Sequence, residues 1–318
     1  MNAPVGVALL GLGTVGSAVA RAMGERAKRL EAAAGRPLRL TGAAVRDIAK
    51  PRSSDVPVTA NAFDLLDDPA VDVVVEVMGG HRPAIDLHLA AFERGKHVVT
   101  ANKEVVAKEW RALHEAARSA KRELRFEAAV AAAIPIVAAA RALGAVRPRV
   151  LSGLVNGTTT YICSRMEAGA TFDAALREAQ QAGYAEADPS ADVDGWDPAY
   201  KLSILVSLLE GRWFPPEQVA RSTLRSVTAE QVREASSRGA RIRYLAVADF
   251  GERATKARVG PQEVAAASLE GQASGPQNVV RLDTDLAGSL TFMGPGAGGD
   301  ATASAILGDV IQVARGMR

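Results

Sequence analysis

An apolar run over Val5–Leu10 ends in Gly11-Leu12-Gly13-Thr14-Val15-Gly16, and Val15, Ala18, Val19, Ala22 and Met23 then recur at helical spacing. A strand, a tight turn and a helix in that order leave few folds open. Glycines spaced G-x-G-x-x-G let the backbone turn sharply and approach a pyrophosphate, whose charge rests on the helix N-terminus. Gly11, Gly13, Thr14, Val15 and Gly16 are therefore candidate dinucleotide contacts, the plain alternative being a structural turn.

Downstream of this first helix the chain keeps alternating. Strands are expected at 38–45, 71–77, His97–Thr100 and 124–126, with helical patterns at 83–93 and 103–120. Such alternation predicts an α/β fold, a Rossmann-type parallel sheet with helices on both faces. Beyond Glu127 the texture changes to helices at 158–167, Phe172–Gln181 and 197–209, then strand-like segments near 242–249 and 279–282. That change predicts a second, α+β domain. A glycine-rich turn at 294–299 then opens a last helix, expected over 300–313.

Composition excludes several function classes. The 38 Lys and Arg against 36 Asp and Glu are spread along the chain, so nothing marks a nucleic-acid partner. No apolar run is long enough to span a bilayer, and residues 1–10 lack the basic start of a signal peptide, so the expectation is a cytoplasmic protein with no membrane partner. The single cysteine, Cys163, rules out a disulfide framework and reads as a small buried residue. All four histidines fall before residue 120, which leaves acid–base work in the second half to Lys, Asp, Glu, Tyr or water.

The second strand is followed by Val45-Arg46-Asp47, with Lys50 and Arg52 close behind. An acid there favours the ribose of NAD, whereas an arginine can meet the 2′-phosphate of NADP. Arg46 comes first, so the expectation is NADP preferred and NAD possible, with Asp47 as the competing partner for the ribose.

Residues 183–201 read GYAEADPSADVDGWDPAYK, setting Glu186, Asp188, Asp192, Asp194 and Asp197 ahead of Lys201. Crowded like charges repel unless solvent, a cation or a bound ammonium relieves them. Asp197 and Lys201 lie four apart on an expected helix, and so on one face, with the acid N-terminal to the base in the better orientation. The bland alternatives are a solvated loop and a surface ion pair.

Taken in order, GLGTVG at Gly11, EVMGG at Glu76, VVTANKE at Val98, EAAVAAAIP at Glu127, GLVNGTTTYI at Gly153, GYAEADPSADVDGWDPAYKL at Gly183 and GPGAGGDATA at Gly294 resemble the homoserine dehydrogenase family over nearly the whole chain. The family interconverts L-aspartate 4-semialdehyde and L-homoserine with NAD(P)H, a step toward threonine, methionine and isoleucine. The resemblance implies an NAD(P)-binding domain at 1–128, completed by a returning C-terminal helix at 300–318, and a catalytic and dimer-forming domain at 129–299. A homodimer is its default assembly. Larger relatives carry a C-terminal regulatory domain; its absence after Arg318 predicts weak or no threonine inhibition through such a domain.

By the same resemblance Lys103, beside Thr100 after the fourth strand, lies between nicotinamide and substrate. A lysine at a helix start opposes the macrodipole, which asks for a reacting oxygen or a phosphate nearby. Glu186 receives the α-ammonium of homoserine, Thr158 contacts the amino-acid end, and Lys201 is the general acid, with Asp192 and Asp197 orienting it or a water. The pKa of Lys201 must fall from about 10.4 for proton transfer near neutrality; Lys103 would lower it and Asp197 would oppose this. Gly298 is implied beside the nicotinamide. Glu127, Val130, Ala132 and Ile134 match the places where the family holds a monovalent cation, Na or K, largely through backbone oxygens. Ala131, Ala132 and Ala133 replace the commoner glycines there, and alanine resists positive φ. Asp188 and Asp194 receive no chemical role.

Two rival readings compete. Aspartate-semialdehyde dehydrogenase needs a cysteine nucleophile and a histidine base, for which Cys163 would have to serve. A non-catalytic NAD(P)-sensing protein accounts for the glycines but not for Glu186, Lys103 and Lys201 together.

Overall fold

A computed structural model describes residues 3–52, 56–275 and 277–317; of the segments expected from sequence, residues 1–2 and 318 lie outside it. The chain divides into two compact units, one running to Ala133 and resuming at Gly298, the other spanning Ile134–Ala297.

The first unit is built on β1 (Val5–Leu10), β2 (Leu38–Ala44), β3 (Val58–Thr59), β4 (Val73–Glu76), β5 (His97–Thr100) and β6 (Leu124–Arg125). They form one parallel sheet in the order β3-β2-β1-β4-β5-β6. Both faces of β1 are covered, which is why VGVALL has no polar alternation and is buried throughout. Close packing fixes Gly6, since a Cβ there would sit 1.7 Å from the Ala70 carbonyl oxygen. The last helix, Gly299–Gly316, belongs to this unit: Ala303, Ile306, Val310 and Val313 join Val5, Val7, Leu9 and Val19 in one core. Its Asp309 accepts from the Glu127 backbone N–H at 2.8 Å.

The second unit is a mixed sheet of β7 (Pro148–Leu154), β8 (Ala220–Arg221), β9 (Ala240–Phe250), β10 (Thr255–Ala265), β11 (Gln277–Thr284) and β12 (Ser289–Pro295), ordered β12-β11-β7-β9-β10-β8. All neighbours run antiparallel except β10 and β8. Helices Gly157–Glu167, Trp196–Glu210 and Ala229–Ser237 pack against β9. Arg243 on β9 is wholly buried, an arrangement tolerated because its guanidinium donates to the Glu270 and Gly271 carbonyls and to the Glu167 carboxylate.

Several expected elements change. The helix expected over 103–120 is two, Lys103–Lys108 and Trp110–Ala120, because the backbone turns at Glu109, whose carboxylate meets His81 Nε2 at 2.7 Å. Gly294 and Pro295 are not a turn but the end of β12, paired with Asn278 and Gln277. An edge strand can carry proline, whose missing N–H then costs no ladder bond. Strands β7, β10 and β12 leave no clear signal in the sequence, β10 because Gly260 and Pro261 interrupt it.

Candidate active site

At the carboxyl end of β1, Gly11 takes φ +106° and donates to the Ala44 carbonyl at 2.9 Å. A Cβ on Gly16 would lie 2.3 Å from the Gly11 oxygen, so the turn can close only with glycine at that position. Gly13 faces open space, where a side chain would stand in the way of an approaching pyrophosphate. The helix Thr14–Glu25 has neither a side-chain N-cap nor an acid in its first turn, which leaves its N–H groups for an anion. These residues fit a dinucleotide. Strand order reverses direction between β1 and β4, and such a reversal marks the crevice where open α/β sheets take ligands.

Past β2, Arg46 is exposed and has no hydrogen-bond or ion-pair partner among the described residues. Arg52 instead donates to the carbonyls of Lys50 and Asp47, and the Asp47 carboxylate accepts from Ala49 N–H at 2.9 Å. After β5, Asn102 caps the helix that begins at Lys103, accepting from Val105 N–H at 3.2 Å while donating to the Gly80 carbonyl at 2.7 Å. Lys103 is half-buried at the first position of that helix.

Glu127 and Val130 are buried in the first unit, and the loop between them and Ala132 does curl: Ala131 has φ 55° and Ala132 φ 45°. Two of the three alanines thus adopt a positive φ, at a conformational cost of about 1–2 kcal/mol per residue. Ile134 is buried in the second unit. No cluster of three or more His, Cys, Asp or Glu suited to a metal occurs among the described residues.

The second unit assembles the rest around Asn156. Its Oδ1 caps helix Gly157–Glu167 by accepting from Thr159 N–H at 2.9 Å, and its Nδ2 donates to Asp192 Oδ1 at 2.7 Å and Asp197 Oδ2 at 2.8 Å. Lys201 Nζ donates to the same Asp197 oxygen at 2.7 Å and to the Val155 carbonyl at 2.6 Å. The Lys201 and Asp197 side chains are only 11% and 7% exposed, so this is no surface pair. Burial and the Asp197 charge push the Asp192 carboxyl above its ordinary value, against the opposing influence of Asn156, the Thr158 hydroxyl and the Lys201 ammonium.

Thr158 donates to the Tyr184 carbonyl at 2.7 Å, which ties the helix to the acidic stretch. Glu186, two residues on, is exposed and its carboxylate has no partner among the described residues. Asp194, expected to be merely solvated, pins the following loop by accepting from Thr223 Oγ1 at 2.7 Å and Arg225 Nε at 3.2 Å. Asp188 accepts from Ser190 N–H and hydroxyl, which hold its carboxyl below the usual range. Cys163 is buried, and its thiol is pushed up to about 12 by burial, the opposite of an activated nucleophile. Asn156 is not among the residues expected from sequence; its signal is an asparagine directly before a helical run, the N-cap position.

A parallel-sheet dinucleotide cradle joined to a unit with a buried lysine–carboxylate group defines a nicotinamide-dependent oxidoreductase acting on a small molecule. The family model described as "Homoserine dehydrogenase, NAD binding domain" matches residues 11–127, and that described as "Homoserine dehydrogenase" matches 135–311. A homoserine dehydrogenase of Corynebacterium glutamicum is 41% identical over 320 aligned positions, covering 98% of this chain and 72% of its own. The crystal structure of a homoserine dehydrogenase from Thiobacillus denitrificans superposes with a TM-score of 0.96 at 41% identity, covering 98% of this chain and 74% of its own. A hyperthermophilic archaeal homoserine dehydrogenase in complex with NADPH superposes at 0.84 and 27% identity, covering 99% of both chains. The chain belongs to the homoserine dehydrogenase family, enzymes of amino-acid biosynthesis that use NAD(P). No helix among the described residues is long and apolar enough to cross a membrane.

Proposed function

We propose that the chain reduces L-aspartate 4-semialdehyde reversibly to L-homoserine with NADP(H) preferred, using Lys201 as the proton donor. The observation that carries this is the buried Asp197–Lys201 pair, held by Asn156 and the Val155 carbonyl. The coenzyme supplies or takes the hydride at nicotinamide C4. Gly11, Gly13, Thr14, Val15 and Gly16 would hold its pyrophosphate, Arg46 its 2′-phosphate, and Thr100, Lys103 and Gly298 its nicotinamide end.

Glu186 would bind the α-ammonium of the substrate, which is supported by a carboxylate with no partner of its own among the described residues. Thr158 would contact the amino-acid end. The aldehyde oxygen gains charge as the carbonyl is reduced; Lys201 donates its proton to that oxygen while Lys103 offsets the charge. Asp197 holds the ammonium in one orientation, and Asp192 orients a water or the lysine.

A monovalent cation, Na or K, would sit on the oxygens of Glu127, Val130, Ala132 and Ile134, a reading favoured by the positive φ at Ala131 and Ala132. The boundary between coenzyme and catalytic domains is read at 1–128 with 300–318 and at 129–299, and the assembly as a homodimer. Purified protein should oxidise homoserine with NADP faster than with NAD. Phosphate-dependent reduction of NADP by the semialdehyde, or no turnover at all, would instead favour the rival dehydrogenase or a sensor.

A further inference from the structure

The EVMGG segment at Glu76 has no part in the chemistry above, yet Glu76 is a fully buried carboxylate at the end of β4. A carboxylate is an expensive group to bury, and it remains ionised only where donors surround it. Three hydrogen bonds and a neighbouring imidazole do so here. Its Oε1 accepts from the backbone N–H of Met78 at 2.7 Å and of Gly79 at 3.1 Å. Its Oε2 accepts from Thr100 Oγ1 at 2.8 Å and lies 3.2 Å from Nε2 of the equally buried His88. Although burial alone would raise it, His88, Thr100 and the Met78 amide hold this carboxyl below the usual range.

Position gives those bonds their meaning. β4 lies beside β1, with Glu76 opposite Leu10, the last residue before the Gly11 turn. Immediately beyond Glu76 the chain bends through Gly79 and Gly80, with φ 72° and 76°. On the other side, Thr100 Oγ1 in turn accepts from Asn102 N–H at 2.9 Å, and Asn102 caps the helix that starts at Lys103 and grips the Gly80 carbonyl. One carboxylate thus ties the turn after β4 to the turn after β5.

We propose that Glu76 is a positioning residue for the coenzyme, holding the Met78–Gly80 and Thr100–Lys103 turns in the one arrangement that accepts the nicotinamide half. The proposal rests on the functional reading above. Glutamine has the same shape but only one acceptor oxygen, so in either amide orientation two of the four neighbouring groups face an N–H₂ group.

Glu76→Gln is the test, with the Kd for NADPH read from coenzyme fluorescence in the absence of substrate. A rise of about tenfold or more is expected, matching roughly 1.4 kcal/mol of lost pre-organisation. The KM for coenzyme should rise with it, while the KM for homoserine and the far-UV circular dichroism stay as in the wild type. An unchanged Kd, or equal rises in both KM values, would overturn the proposal. If Glu76→Gln fails to fold, Glu76→Asp keeps the charge on a side chain one methylene too short to hold all three hydrogen bonds at once; it should weaken NADPH in the same direction, and an unaltered Kd there also overturns it. Failure of the wild type to oxidise homoserine would sink the activity but leave the Kd comparison to judge Glu76.

Discussion

Asn156 Nδ2 reaches Asp192 Oδ1 at 2.7 Å across 36 residues of chain, and its second hydrogen goes to Asp197. A neutral group with two hydrogens is what two neighbouring carboxylates require, since each gains a donor and no third charge is added. Asn156→Ser keeps a competent helix cap and deletes the bridge. Turnover should fall, and the acid limb of the pH–kcat profile should move to higher pH, because Asp192 loses a donor that now lowers its pKa. A profile superimposable on the wild type would contradict the bridge.

Lys201→Ala removes the proposed acid and leaves the buried Asp197 carboxylate without its lysine, held by Asn156. Turnover should fall about a hundredfold or more, the usual worth of a positioned proton donor, with NADPH affinity nearly intact. Stability should drop as well, by about 3 kcal/mol, since breaking a buried pair leaves an uncompensated charge. Denaturant titration beside steady-state kinetics reads both; near-normal turnover would remove Lys201 from the mechanism.

Arg46→Ala separates the coenzymes. Loss of a charge-assisted contact to the 2′-phosphate should raise the KM for NADP about tenfold and leave that for NAD unaltered. Equal effects on both coenzymes would show that Arg46 does not read the phosphate.

The raised pKa of Asp192 has a signed consequence for stability. Burial disfavours its charged form, so the penalty is absent below the unfolded carboxyl pKa of about 3.9 and grows as pH rises through the higher folded value. Asp192→Asn should therefore gain stability over the wild type as pH rises above about 4, while losing activity. Thermal melts across the acid-to-neutral range check the sign.

The parallel sheet is legible in the sequence because β1 and the Val73–Val75 part of β4 carry no polar side chain and the glycine turn follows the first of them. Asp197 and Lys201 are legible from their four-residue spacing. Bonds between distant segments are not. Asp194 binds Thr223, 29 residues away, and Glu76 binds Thr100, 24 away, and neither separation leaves a periodic trace. Gly294 and Pro295 read locally as a turn because glycine and proline signal turns, whereas pairing with β11 decides their conformation.

Ala131 and Ala132 provide the last prediction. Each holds a positive φ that glycine would adopt freely, so Ala132→Gly relieves about 1–2 kcal/mol of strain. Glycine also loses more freedom on folding, which offsets about 0.5–1 kcal/mol of that relief. The net expectation is a gain of about 0.5 kcal/mol in thermal or denaturant stability. Activity should respond in the opposite sense. On the proposed cation reading, an alanine already locked in this shape would keep the backbone oxygens pre-arranged, and glycine would free them in the unbound state. Half-maximal activity should then need more Na or K in Ala132→Gly than in the wild type. A stabilised variant with an unchanged cation requirement would confine the curled loop to a structural role.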